Sequence, residues 1–336
     1  MALLTSFYVH HPMSIRHLRL TEKHLLAGTA SGAIHIVDRR CRHTENFSGC
    51  EHRTTIEAGE TWHFDCYQNT LITANNDHVL RVWNVDTGLL QRTLARHSSA
   101  VNQVLIANAA TVISSSQDST VIVWDLPTAV PRWTLSHGAV VECLMIHGDL
   151  LFTGARDGTI TIWDLEKGGF VRVLQGHTTP VWRMTVHLDG RLLATGASGG
   201  SMRIWDATSN HCIAECQGHT KMITDFTSVS ETQLMTSAAD GTIRVWDWTT
   251  GRHVSTLVAH ERAVRGLSLT SQRVISGGMD GYVRVWDRAD MTTSYEMREK
   301  VRAVWHLVSE ADTIGLALLV EEGKHLIEMW DASQLK

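Results

Sequence analysis

Four stretches of the chain carry a histidine, a hydroxyl and a carboxylate at nearly fixed distances: His97, Ser114 and Asp118; His137, Thr153 and Asp157; His219, Thr236 and Asp240; His260, Ser276 and Asp280. Such a trio is the raw material of nucleophilic hydrolysis, in which a carboxylate orients an imidazole that takes the proton of a hydroxyl. The spacing argues for something else. His to Asp is always 20 or 21 residues, and each Asp is followed six residues later by a tryptophan, Trp124, Trp163, Trp246 or Trp286. A hydrolase needs one exposed nucleophile beside oxyanion donors, whereas four copies at one period belong to a repeated framework. The chain is expected not to be an enzyme, with a hydrolase or a metal-dependent enzyme as the alternative.

A second constellation, Cys41-x-His43 with Cys50-x-His52, places four zinc-compatible side chains within twelve residues. Its spacing matches no familiar zinc ribbon or finger, so no metal and no cofactor are expected. The other cysteines, Cys66, Cys143, Cys212 and Cys216, also lack a Cys-x-x-Cys pair and read as free thiols.

The element that must position these groups is a β-hairpin, clearest at Leu151–Asp164. An apolar run ends at Gly154, Asp157-Gly158 supplies a tight-turn dipeptide, and Thr159 to Trp163 is β-branched and aromatic. Its closing pair, Trp163-Asp164, recurs as Trp83-Asn84, Trp124-Asp125, Trp205-Asp206, Trp246-Asp247, Trp286-Asp287 and Trp330-Asp331, with a degenerate Val37-Asp38 upstream. Successive steps are 46, 41, 39, 42, 41, 40 and 44 residues, near the ~40–45 period of propeller blades.

On these residues the sequence resembles the WD-repeat (WD40) family from end to end. The resemblance implies an all-β propeller of eight four-stranded blades, residues 1–336 forming a single domain, with seven blades as the competing architecture. It also implies that each His, hydroxyl, Asp and Trp set is a structural hydrogen-bond relay. Blade five departs from the pattern, with His177, Thr195 and Trp205 but Gly199 in place of Asp. Blade one has Val37 for Trp, and blade eight has no Asp turn.

Length alone, 336 residues, predicts two domains, but a ring grows by adding neighbours and can close as one unit. Only four prolines are present, and no linker stands out. Blade one fits inner strands at Ile15–Leu20, His24–Gly28 and Ala33–Val37, with its outer strand within residues 43–55, the least repeat-like and most polar stretch. Few residues follow Trp330-Asp331, while residues 5–12 resemble an outer strand and its loop. The N-terminal segment is therefore expected to supply the outer strand of blade eight, closing the ring and removing an open edge.

A formal charge of −5 with scattered basic residues argues against a duplex nucleic-acid surface, which needs a clustered basic footprint. No apolar run reaches the ~18 residues of a membrane span, and the first eleven residues lack the pattern of a signal peptide. The expectation is a cytoplasmic or nuclear protein that binds neither membrane nor nucleic acid.

Recognition is expected where equivalent positions vary around the rim. One register lies early in each innermost strand: Arg16, Trp62, Asn102, Glu142, Trp182, Thr224, Arg265 and Trp305. Another lies just before the turn Asp: Ala30, Asn76, Gln117, Arg156, Ser198, Ala239 and Met279. Trp and Arg combine large contact area with directional donors and dominate binding hot spots, which marks Arg16, Trp62, Arg156, Trp182, Arg265 and Trp305 as partner-binding candidates for a protein or peptide. Arg16, Arg156 and Arg265 could also receive a carboxylate or phosphate.

Thr61-Trp62-His63 and Ala303-Val304-Trp305-His306-Leu307 are similar to segments of the eight-bladed F-box ubiquitin-ligase substrate receptors. That resemblance implies groove-lining roles for Trp62 and Trp305, and a ubiquitin-ligase complex as an alternative partner. The arginine cluster of phosphate-reading receptors is replaced here by Asn102, Gln117 and Glu142, and this chain contains no F-box.

Overall fold

The structure is a computed structural model that describes residues 2–10, 15–39, 53–187, 190–270, 272–288, 291, 293–298, 301–310, 313–321 and 324–331. Hydrophobic alternation bounded by Gly and Asp turns folds them into eight antiparallel sheets of four strands. In chain order, blades one to seven lie within 15–57, 61–95, 101–136, 141–174, 181–216, 223–258 and 264–298. Blade eight takes three strands, Ala303–Glu310, Thr313–Glu321 and Lys324–Asp331, and its fourth from Ala2–His10.

That last pairing runs antiparallel from Ala2 opposite Asp331 to His10 opposite Lys324. The N-terminal strand is thus the outer edge of the final blade. The innermost strands, from Ile15–Leu20 and Thr61–Tyr67 round to Ala303–Glu310, each touch the next, and the last touches the first. The ring is closed with eight blades. The outer strand of blade one is Arg53–Glu57, at the downstream margin of the expected segment; Cys41, His43, Cys50 and His52 lie outside the described residues.

The hydrophobic core is divided among the clefts between blades. Each of the eight clefts holds one cluster. Between blades two and three, Ile72, Leu80, Val82 and Leu94 meet Val101, Val104, Val112, Ile122 and Trp124; at the seam, Ile15, Leu18, Leu25 and Val37 meet Ala317, Ile327 and Met329. Truncating one such residue to alanine costs about 2–5 kcal/mol, because the cleft cannot collapse around the void.

Polar ties near the axis fix the rotation of one blade against the next. Asp65 accepts the Ile106 N–H at 2.9 Å and sits 3.3 Å from the Arg19 guanidinium, joining three blades. Gln103 Oε1 accepts the Leu144 N–H at 2.8 Å. At the outer turns, Gly158 has φ +88°, and a Cβ there would lie 2.3 Å from the His177 carbonyl. Any side chain at this turn would drive adjacent blades apart.

Candidate interaction site

In all eight innermost strands the ladder register slips by one residue near the start. The slips fall between Ile15 and His17, Thr61 and His63, Val101 and Gln103, and Val141 and Cys143. They recur between Val181 and Arg183, Ile223 and Asp225, Val264 and Gly266, and Val304 and His306. The residues left out of the pairing are Arg16, Trp62, Asn102, Glu142, Trp182, Thr224, Arg265 and Trp305. A bulge leaves its extra residue unpaired and re-aims it away from the ladder, so the variable register is one geometrical device used eight times.

Seven of these side chains, all but Trp62, line one cavity of about 420 Å³. Blade two contributes His63 instead. A cavity lined from every blade lies on the ring axis, at the mouth of the central channel. Trp62 stands just outside, 45% exposed, with the Arg16 guanidinium 4.3 Å from its ring and its indole N–H 3.5 Å from Asn76 Oδ1. Trp182 is 38% exposed, and Arg265 stacks 5.3 Å from the Trp305 ring.

The second register lies immediately outside the first. The backbone N–H groups of Asn76, Gln117, Arg156, Ser198, Ala239 and Met279 donate to the carbonyls of Glu60, Ala100, Val140, Pro180, Met222 and Ala263 at 2.8–3.0 Å. Arg156 bridges the two registers, since its guanidinium holds Glu142 at 2.6 and 2.7 Å. Its charge is already met within blade four. The candidate cations facing the cavity are therefore Arg16 and Arg265, joined by one that the sequence reading passed over, Arg183.

Arg183 follows a bulge directly, as do His17, His63 and His306. Strict strand alternation sends the residue after a rim residue to the opposite face; a bulge cancels that and lets both reach the axis. The recurring dipeptides Arg16-His17, Trp62-His63, Trp182-Arg183 and Trp305-His306 were the available signal. His17 lies 4.4 Å from His63 and 6.0 Å from His306, ring centre to ring centre. Burial, followed by the Arg183 charge, lowers His63 to about 3 and His306 to about 4. Burial and the two neighbouring imidazoles also push His17 well down. All three rings are neutral near pH 7.

The histidine, hydroxyl, carboxylate and tryptophan sets form hydrogen-bonded chains beyond this mouth. His97 Nδ1 meets Asp118 at 2.9 Å, His97 Nε2 meets Ser114 Oγ at 2.8 Å, and the Trp124 indole donates to the same oxygen at 2.8 Å. His219, Asp240, Thr236 and Trp246 repeat this at 3.1, 2.8 and 2.8 Å, and His260, Asp280, Ser276 and Trp286 at 2.8, 2.9 and 3.0 Å. A carboxylate can only accept and an indole only donate, so the proton sits on Nδ1 and the hydroxyl gives its own to Nε2. Burial pushes the Asp118 carboxyl up, but bonds from Thr120, Ser98 and His97 outweigh it and bring it to about 2.

Blade four differs from the expected relay. His137 Nε2 reaches Thr153 at 2.9 Å and the Trp163 indole donates to Thr153 at 3.2 Å, but His137 Nδ1 turns to the Leu135 carbonyl at 3.2 Å. Asp157 instead accepts from the Thr159 amide and hydroxyl. In blade five, where Gly199 replaces the acid, Ser201 Oγ stands 3.4 Å from His177 Nδ1, and Thr195 links His177 at 2.7 Å to Trp205 at 2.8 Å. Ser114, Thr153, Thr195, Thr236 and Ser276 are wholly buried and accept an indole N–H. None of them is placed to attack a substrate. Burial also raises the Cys66, Cys143 and Cys216 thiols to about 12, leaving them poor nucleophiles. Among the described residues no group of three or more His, Cys, Asp or Glu is arranged to hold a metal ion.

Known proteins share this architecture. The repeat profile described as "WD domain, G-beta repeat" matches residues 88–125, 130–164, 168–206, 210–247 and 251–287. The chain is 25% identical over 234 residues to the WD repeat-containing protein pop1 of Schizosaccharomyces pombe, covering 54% of this chain and 29% of that one. It is 26% identical over 127 residues to Autophagy-related protein 16 of Arabidopsis thaliana, covering 36% and 25%. The chain spans about a third or less of the length of the curated relatives it matches. Its fold is that of the computationally designed Ika8 protein, with a TM-score of 0.84 and 22% identity over 98% of this chain and 99% of that one. With five profile matches across more than half its length and the tryptophan-closed blades that they describe, the chain belongs to the WD-repeat family.

Proposed function

We propose that the chain is a non-enzymatic protein-interaction module whose channel-mouth rim captures a peptide segment of a protein partner. One observation carries this reading: eight bulges turn eight side chains to the channel mouth, seven of them into a single axial cavity, and tryptophans and arginines hold five of the eight places. Trp62 and Trp182 would act as half-exposed anchors and Arg16 and Arg265 as selectors. Trp305 packs against the cluster that seals blades one and eight, so it serves the fold as well.

The test is affinity purification with mass spectrometry, comparing wild type with Trp62→Ala/Trp182→Ala. Loss of partners from a variant that melts like wild type supports the rim; an unchanged set of partners rejects it. The narrower reading, a ubiquitin-ligase substrate receptor, rests on the Thr61–His63 and Ala303–Leu307 segments alone. It requires ligase subunits among the captured proteins.

A further inference from the structure

Several arginines around the ring meet carboxylates. Arg19 lies 3.3 Å from Asp65, Arg203 lies 2.8 Å from Glu215, and Arg273 lies 2.6 Å from Asp287. At the cavity that pattern stops. Among the described residues Arg16 and Arg265 have no carboxylate partner and only stack on Trp62 and Trp305. Arg183 donates Nε to the Thr224 carbonyl at 3.0 Å, and among the described residues no ion pair engages the rest of its fork. Asp225 is close enough to feel the Arg183 charge, but its carboxylate accepts the amides of Phe226 and Leu267. Glu142, the acid in the cavity wall, is held by Arg156.

Two further polar atoms on the same wall are unmet. Trp305 Nε1, which can only donate, and His63 Nδ1 are buried without a hydrogen-bond partner among the described residues. A buried polar group left unsatisfied is destabilising, and the walls of this one cavity carry two. Three guanidiniums face about 420 Å³, and among the described residues two of them, those of Arg16 and Arg265, have no hydrogen-bond acceptor. Partial desolvation at the cavity also draws the Arg265 pKa down.

Resting on the reading that this rim is the interaction face, we propose that the channel mouth is an oxyanion pocket. It takes one carboxylate or phosphate group of a partner peptide between Arg16, Arg183 and Arg265, with the Trp305 ring as a wall beside it. The volume suits a single acidic side chain with its waters. Forked guanidiniums match the planar edge of a carboxylate and the face of a phosphate equally well, so the chemistry shared by both is what the site reads. The Glu142–Arg156 pair sets its gain, because the Glu142 charge opposes any incoming anion.

The test titrates the full chain, labelled at the tryptophan indoles, with three probes: a hexaglutamate peptide, a hexaglutamine peptide and inorganic phosphate. Hexaglutamate should bind, move the Trp305 indole resonance and weaken as salt rises, while hexaglutamine does neither. A response to phosphate without one to hexaglutamate supports the pocket and assigns it to phosphorylated partners. Arg183→Gln and Arg265→Gln should each weaken anion binding about tenfold, and Arg265→Gln, at an exposed position without a hydrogen-bond tie among the described residues, should melt like wild type.

Glu142→Gln should strengthen it several-fold, an effect that no loss of folding could mimic. The proposal is overturned if neither anion moves the Trp305 resonance, or if the three variants bind as wild type does. Its failure is separable from that of the rim: partners lost with Trp62→Ala/Trp182→Ala while neither anion binds would leave the rim standing without the pocket. Anions bound while those partners persist would do the reverse.

Discussion

Blades three to seven and the group formed by blades eight, one and two are built on the same strand plan but held together differently. In the first set each blade has its buried hydroxyl bonded to both an imidazole and an indole. In the second set that device is missing or replaced. Blade two uses Asn75, which accepts from Thr73 at 2.8 Å and donates to the Ala58 carbonyl at 2.5 Å. Blade one fills the tryptophan place with Val37, and in blade eight the Trp330 indole turns to Glu328 of its own strand at 2.8 Å. The same three blades supply His17, His63, His306, Trp62, Trp305 and Arg16 to the channel mouth. Template bonds hold the five-blade arc, and the three blades that gave them up carry most of the chemistry.

The largest expected effect breaks the second set directly. Removing residues 1–11 takes the outer strand from blade eight and exposes an edge, so the melting temperature should fall by on the order of 10 °C or more. A truncated chain that melts with wild type would mean that the seam between blades one and eight does not limit stability.

Acidification should next separate the blades whose buried imidazoles lack a carboxylate from blades three, six and seven, where Asp118, Asp240 and Asp280 meet them. His63 and His306 titrate in the fold at about 3 and about 4, below the ordinary value of about 6.5. Between those values the unfolded chain binds protons that the folded one refuses, so stability is full above about pH 6.5 and declines as pH falls toward 4. At pH 5 each of the two costs about 2 kcal/mol. Hydrogen exchange followed from pH 7 to 5 should show blades eight, one and two opening first, together with blade five, where burial and then the Arg203 charge hold His177 at about 4. Earlier opening of blades three, six and seven would show that Asp118, Asp240 and Asp280 do not protect their imidazoles.

A smaller pair of effects sharpens the contrast inside the regular set. Asp118→Ala strands the His97 ring and the Ser98 amide, which it accepts at 2.9 Å, and should cost about 1–3 kcal/mol. Asp157→Ala in blade four loses only its two exposed turn bonds to Thr159 and should cost about 1 kcal/mol or less. Denaturant midpoints of the two variants measure the difference, and equal losses would put Asp157 back into the relay. Smallest of all, Trp62→Ala should change stability by about 0.5 kcal/mol or less, as surface substitutions do.

The ring was legible in the sequence because each blade repeats one hairpin whose turn and closing tryptophan sit at fixed spacing. Even the closure by the N-terminal strand could be read, since residues 5–12 resemble the outer strand and loop of the other blades. The site was legible to its first residue and no further. Arg16, Trp62, Trp182, Arg265 and Trp305 could be found as variable positions, but Arg183 and the three imidazoles follow bulges, which no periodicity of two foresees. Pairings between side chains were equally out of reach. Arg156 looked free because Glu142 is fourteen residues away, and His137 looked tied to Asp157 because the spacing matches its neighbours; only packing decides either.

The strand that closes blade eight has a mechanical consequence. Ala2 lies opposite Asp331, so a load applied across those two points pulls perpendicular to the strands and parts the ladder one hydrogen bond at a time, like a zip opened from its end. The clasp shares the stability of the whole ring against heat, where every bond must fail together, and is weak under tension. Tethered through that edge, the protein should yield first at its seam while the arc from blade three to blade seven stays folded.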